Sequence, residues 1–116
     1  MNNLDISIFH IDNSVLINLN GFLDASGSPT LHSALEKFIE DNPFLISIIF
    51  NLKDLTYISS SGVGVFTYFW AFAQRRNIEV YFCNIKPKVE SVLNTLGFMP
   101  HLSVIEPPKQ KGSKIL

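Results

Sequence analysis

The stretch FLISIIFNL, residues 44–52, is apolar except for Ser47 and Asn51 and carries three isoleucines. A run this short and this β-branched reads as a strand. Its lack of alternation reads as a strand covered on both sides. The next residues, DLTYISSSGVGVF (54–66), place three serines between that strand and an apolar helix expected from about Gly62 to Arg76. IEVYFCNI (78–85) is a second buried strand, with Cys83 as a small core residue. Strand, helix and strand in this order imply parallel strands joined by a right-handed crossover.

Upstream, LDISIFHI (4–11) alternates Leu4, Ile6 and Ile8 against Asp5 and Ser7. VLINLNG (15–21) alternates Val15, Ile17 and Leu19 against Asn18 and Asn20. With the turn residues Asp12, Asn13 and Ser14 between them, the two read as an antiparallel hairpin with one buried face. In LDASGSPTLHSALEKFIED (23–41), Ser28 reads as a cap and Pro29 as a first-turn proline. Leu31, Ala34, Leu35, Phe38 and Ile39 then recur at helical spacing, and Asn42-Pro43 ends the helix. Downstream, Pro87 opens a third helix with Val89, Val92, Leu93 and Leu96 on one face and Gly97 as its stop. LSVI (102–105) reads as a last short strand, and EPPKQKGSKIL (106–116) as a disordered tail. The expected fold is α/β: a mixed sheet of four to five strands, an N-terminal antiparallel hairpin followed by parallel strands with crossover helices. One domain spans 1–105.

The length of 116 residues fits one domain with one core. Hydrophobic residues at 47 % and charged residues at 16 % argue for a globular chain and against a disordered one. A net charge of -1 without a basic stripe argues against nucleic-acid binding. The only cysteine, Cys83, excludes an intrachain disulfide and a cysteine zinc site. His10, His32 and His101 lack ligand spacing, so no metal is expected. MNNLDISIF has no basic region before an apolar run, and so does not read as a secretory signal. The longest uncharged apolar stretch, GVGVFTYFWAFA, is shorter than the roughly 20 residues of a membrane span. A cytoplasmic protein without direct membrane insertion is expected.

The serines lie where open α/β sheets place their sites, at the carboxyl end of a central strand. Two readings stand there. In the first, Ser59 or Ser60 caps the helix and contributes about 1 kcal/mol over alanine. In the second, a hydroxyl carries a phosphate, held by free N–H groups at the helix start, with Gly62 and Gly64 allowing close approach. Enzyme motifs are missing. ISSSG lacks the first glycine of a nucleophile elbow, and no lysine follows Gly62 or Gly64 as a P-loop requires. A triad would need His101 and Asp24 to meet Ser60, which nothing in the spacing demands. No cofactor is implied, and the chain does not read as an enzyme.

LNGFLDASGSPTL (19–31), NLKDLTYISSSGVGVF (51–66) and VYFCNIKPKVESVLNTLGF (80–98) together resemble the STAS domain, specifically the small bacterial anti-sigma factor antagonists. The resemblance covers about residues 4 to 105. It implies a protein that binds an anti-sigma factor which is also an ATP-dependent serine kinase, and that is released when the kinase phosphorylates it. A serine phosphatase would restore the cycle. Carried over by position, the phosphorylated residue is Ser60, with Asp24, Ser59, Ser61, Gly62 and Val63 around it in the partner contact. Two positions depart from the family pattern. Ser59 stands where the motif has aspartate, and Lys86 stands where a serine or threonine usually precedes the third helix's proline. The alternative is a STAS domain without a phosphoswitch, a scaffold or a small subunit of a transport complex.

One feature is not required by the resemblance. In VGVFTYFWAFAQRR (63–76), Val63, Phe66, Trp70 and Ala73 form a stripe that should face the sheet. Val65, Phe69 and Phe72 form a second stripe, beside Tyr68, and charge is delayed until Arg75 and Arg76. Either neighbours sandwich this helix, or Phe69 and Phe72 form an exposed patch for a partner or for a homodimer.

Overall fold

The computed structural model describes residues 3–109 and 112–115. Met1 and Asn2 of the N-terminal stretch, and residues 110, 111 and 116 of the expected tail, lie outside the described residues. The hairpin forms as expected. β1 (Leu4–Ile11) and β2 (Ser14–Leu23) pair antiparallel, with Ile11 opposite Ser14. The two-residue turn puts Asp12 at φ 54°, a left-handed conformation that a short polar side chain tolerates. β3 (Ser47–Ile58) lies parallel to β2, and β4 (Glu79–Cys83) parallel to β3. β3 starts later than the apolar run suggests. Phe44 and Ile46 are exposed in the connection before it, and the strand continues instead through Lys53–Ile58.

α1 (Gly27–Asp41), α2 (Ser60–Arg76) and α3 (Pro87–Thr95) cover one face of the sheet. Alternate strand residues Val15, Ile17, Leu19, Ile48, Phe50, Leu52, Val80 and Phe82 pack there against Leu31 and Leu35, Val63 and Phe66, and Val89 and Leu93. The rings of Phe50, Phe66 and Phe82 meet in pairs at 5.1 to 5.2 Å between centroids, and all three are fully buried. Burial of rings this large, at about 25 cal/mol per Å² of apolar surface, makes them a main contributor to the core. In α3, Leu96 departs from the expected face. It is 49 % exposed, because the helix ends at Thr95 and Gly97 turns the chain at φ 76°.

Among the described residues, the opposite face carries no helix. A smaller cluster of Leu16, Ile49 and Cys83 is buried there, with Phe9, Ile11, Tyr81 and Ile105 packed around it. Beside it runs a row of amides. Asn84 Nδ2 donates to Asn51 Oδ1 at 2.9 Å, and Asn51 Nδ2 donates to Asn18 Oδ1 at 2.9 Å.

After a 3-10 turn (Met99–His101), β5 (Ser103–Val104) pairs parallel with β4. The expected disordered tail is corrected in its described part. Ser113–Lys114 form β6, antiparallel to β1, with His10 opposite Ser113 and Phe9 opposite Lys114. The sheet thus has six strands in the order β5-β4-β3-β2-β1-β6, slightly more than the four to five expected.

Candidate functional site

β2, β3 and β4 run parallel, so the residues that follow them gather at one end of the sheet. Asp24 follows β2, Ser59 to Ser61 follow β3, and Lys86 follows β4. The first two ends are tied together. The N–H of Ser59 donates to the carbonyl of Leu23 at 3.0 Å. Gly62 makes the approach possible, since a Cβ there would lie 2.6 Å from the Leu23 carbonyl oxygen and 2.8 Å from Ile58 Cγ1.

Ser60 is the first residue of α2 and is exposed, as is Ser61. The opening N–H groups of a helix have no intrahelical partners, and the positive end of its dipole lies there. Ser60 therefore offers a hydroxyl to solvent beside a region of positive potential. Ser59 is the N-cap residue, with extended backbone at φ −104° and ψ 176°. Its carbonyl accepts from Val63 N–H at 3.0 Å, but its hydroxyl makes no capping bond. That oxygen is buried without a hydrogen-bond partner. The capping reading of Ser59 is corrected accordingly. Gly62 and Val63 are buried at the foot of the helix and offer their neighbours little but packing.

Asp24 opens α1. Its Oδ1 accepts from Ser26 N–H at 3.0 Å and Gly27 N–H at 2.9 Å. Its carbonyl accepts from both the N–H and the hydroxyl of Ser28, at 2.8 and 2.7 Å. The cap expected at Ser28 is therefore supplied by Asp24. Ser28 is buried inside the first turn and points back at the chain. Asp24 stays half-buried beside the serine turn, with a second carboxylate oxygen beyond these two bonds.

Three neighbours went unread in the sequence. Phe22 and Tyr57 immediately precede the buried Leu23 and Ile58, so alternation turns them to the helix-free side. Their rings lie 5.9 Å apart, 44 % and 45 % exposed. The third is Lys88, which with Lys86, Pro87 and Val89 forms one wall of a groove whose other wall is Leu55 and Thr56. The only sequence signal for these was their position next to the two motif stretches.

Phe69 and Phe72 do not join the site. Phe69 is 1 % exposed, and Phe72 is half-buried under the guanidinium of Arg76, 4.8 Å from its ring centre. α1 supplies the cover. His32 lies 4.8 Å from the Tyr68 ring and 5.1 Å from the Phe69 ring. Of the two readings of this helix, the sandwiched one holds, and the alternative of an exposed patch at Phe69 and Phe72, with the homodimer built on it, is corrected to a packed α1–α2 seam. His101 lies 5.5 Å from Trp70, ten residues and about 15 Å along α2 from Ser60. It therefore cannot act as a base for that hydroxyl.

Comparison with known proteins agrees with the fold. An anti-sigma F factor antagonist of Paenibacillus polymyxa is 24% identical over 104 residues, 90% of this chain and 88% of that protein. The unphosphorylated form of the anti-sigma factor antagonist SpoIIAA superposes with a TM-score of 0.77 at 21% identity, over 90% of each chain. The phosphorylated form of SpoIIAA, a Bacillus cell fate determinant, superposes with a TM-score of 0.71 at 20% identity, over 90% of this chain and 93% of that one. The STAS domain matches residues 5–109, from the first strand to Lys109 on the helix-free face. This chain belongs to the STAS domain family.

Proposed function

We propose that this protein is an anti-sigma factor antagonist whose contact with an anti-sigma factor serine kinase is switched by phosphorylation of Ser60, and reset by a serine phosphatase. The observation that carries the reading is the exposed hydroxyl of Ser60 on the first turn of α2, at the carboxyl end of the central strand. The relative in Paenibacillus polymyxa and the phosphorylated form of SpoIIAA support it.

In the unmodified protein, Ser60 and Ser61 face the partner, with Asp24, Ser59, Gly62 and Val63 shaping the turn beneath. Phe22 and Tyr57 add apolar area at the rim of the same contact. Phosphate adds roughly two negative charges to Ser60. The helix N-terminus tolerates that charge, so the fold survives the modification. The partner contact does not, because a divalent anion enters a packed interface beside the Asp24 carboxylate. An unpaired charge there costs about 3–4 kcal/mol, a few hundred-fold in affinity.

The test titrates wild type, Ser60→Ala and Ser60→Asp against the anti-sigma factor kinase of the same organism. Ser60→Ala is expected to bind like wild type and to take up no phosphate from ATP. Ser60→Asp is expected to bind at least about tenfold more weakly. Equal binding by all three, or a phosphate mapped to another residue, overturns the assignment.

A further inference from the structure

β3 outruns its neighbour on one side. Its pairing with β4 ends at Asn51 opposite Cys83, while its pairing with β2 continues to Ile58 opposite Leu23. After Cys83 the chain turns away through Asn84, at φ 57°, and enters α3 at Pro87. The end of β3 therefore has a paired strand on one side only. A groove of about 450 Å³ opens between it and the start of α3. Leu55 and Thr56 form one wall, and Lys86, Pro87, Lys88 and Val89 form the other. A volume of this size is in the range of ligand pockets.

The lining is divided. Leu55 and Val89 are buried and make an apolar floor, with Pro87 beside them. Lys86 and Lys88 are exposed at the rim. Neither ammonium has an ion pair. Among the described residues the one such pair joins His32 to Glu36, and the nearest acids in sequence, Asp54 and Glu90, pair with neither lysine. No carboxylate lines the groove. A small anion would answer the lysines and leave the floor uncovered, and an apolar ligand would do the reverse. A protein segment with an apolar side chain flanked by Asp or Glu answers both. The one-sided end of β3 suits an extended segment, which can add to that edge as a strand. The groove is also continuous with the serine turn. Only Tyr57, Ile58 and Ser59 separate Thr56 from Ser60, so a partner seated over Ser60 reaches the groove along the same surface.

We propose that this groove receives an acidic, extended segment of the anti-sigma factor kinase, and that Lys86 and Lys88 select a partner carrying carboxylates there. This rests on the reading of the protein as that kinase's antagonist. It adds the chemistry required of the partner, which Ser60 does not specify.

The experiment titrates the full chain against the anti-sigma factor kinase of the same organism, at low and at high salt. The variants are Lys86→Glu with Lys88→Glu, Lys86→Gln with Lys88→Gln, and Ser60→Asp. Both lysines are exposed, and circular dichroism checks that each variant keeps the fold. The Glu pair is expected to bind at least about tenfold more weakly at low salt, and the Gln pair to lose less. The gap should close at high salt, where exposed charges are screened. Changing the kinase's surface Asp and Glu residues singly to Lys should yield a variant that binds the Glu pair better than the native kinase does. Ser60→Asp separates the two readings. If it weakens binding while the Glu pair binds like wild type at both salts, the groove proposal is overturned and the switch stands. If it binds like wild type while the Glu pair is weakened and rescued, the groove stands and the switch falls. A loss in the Glu pair that salt does not change, or that no charge reversal on the kinase restores, overturns the proposal. A wild type that does not bind the kinase overturns both.

Discussion

Ser59 holds a side-chain oxygen that is buried and without a hydrogen-bond partner, at the one position where a cap would ordinarily sit. Replacing a capping serine by alanine usually costs about 1 kcal/mol. Here no capping bond is lost and an unsatisfied polar atom is removed. Ser59→Ala should therefore leave the unfolding free energy measured in urea within about 0.5 kcal/mol of wild type, and a loss above about 1 kcal/mol would show a cap formed in solution. Residue type alone misled at both helix starts. Three serines before α2, and Ser28 before Pro29, are good caps by composition. Which oxygen meets which N–H depends on the path of the incoming chain, and that path is set by the Ser59–Leu23 tie and by the Asp24 turn. The exposure of Ser60 follows from the same tie, because the helix starts one residue beyond it.

α2 shows what periodicity conveys and what it does not. The stripe of Val63, Phe66, Trp70 and Ala73 was legible, and it faces the core, with Trp70 only partly buried against it. The second stripe was ambiguous because its cover lies on another element. Phe69 is buried partly by His32 of α1, and nothing within residues 60–76 says so. β6 is the same case in reverse. Its proline- and lysine-rich surroundings read as disorder, while its pairing partner lies about a hundred residues earlier in β1. The placement of α2 itself turns on Gly62. Three atoms of Leu23 and Ile58 lie within 2.8 Å of where a Cβ would stand, one of them a backbone carbonyl oxygen. Gly62→Ala must push the helix off the strand ends. It should cost about 1–3 kcal/mol in chemical denaturation, the range for overpacking a well-filled site. In the proposed switch it should also weaken partner binding, since the serine turn moves with the helix.

The molecule is a sheet with unequal covers. Three helices seal one face, and the carboxyl-terminal segment crosses the other. Cys83 reports on the thinner cover. It is fully buried on the helix-free side, and burial pushes its thiol pKa above the ordinary 9.0. The folded state thus keeps this proton to higher pH than the unfolded chain. Its contribution to stability is present below pH 9.0 and is lost as pH rises through the folded value. At pH 8 the native thiol should react with a disulfide reagent at least about 100-fold more slowly than the thiol of the denatured chain, because both access and thiolate are suppressed. A native rate close to the denatured one would show that the crossing segment leaves this face open. The overall architecture was readable from alternation, helical spacing and the STAS resemblance. The covering of the helix-free face was not, because it depends on two chain ends meeting at one sheet edge.

The amide row on that face has a consequence for strand alignment. The hydrogen bonds all run in one direction, Asn84 donating to Asn51 and Asn51 to Asn18, so the three act as a zip with matched teeth. A slip of β3 against β2 would break the Asn51–Asn18 bond, and a slip of β4 against β3 the Asn84–Asn51 bond, even where the apolar side chains beneath accepted the new partners. Misaligned sheets are thus penalised from the polar side as well as the greasy one, which lets the loop at the strand ends sit in one place only.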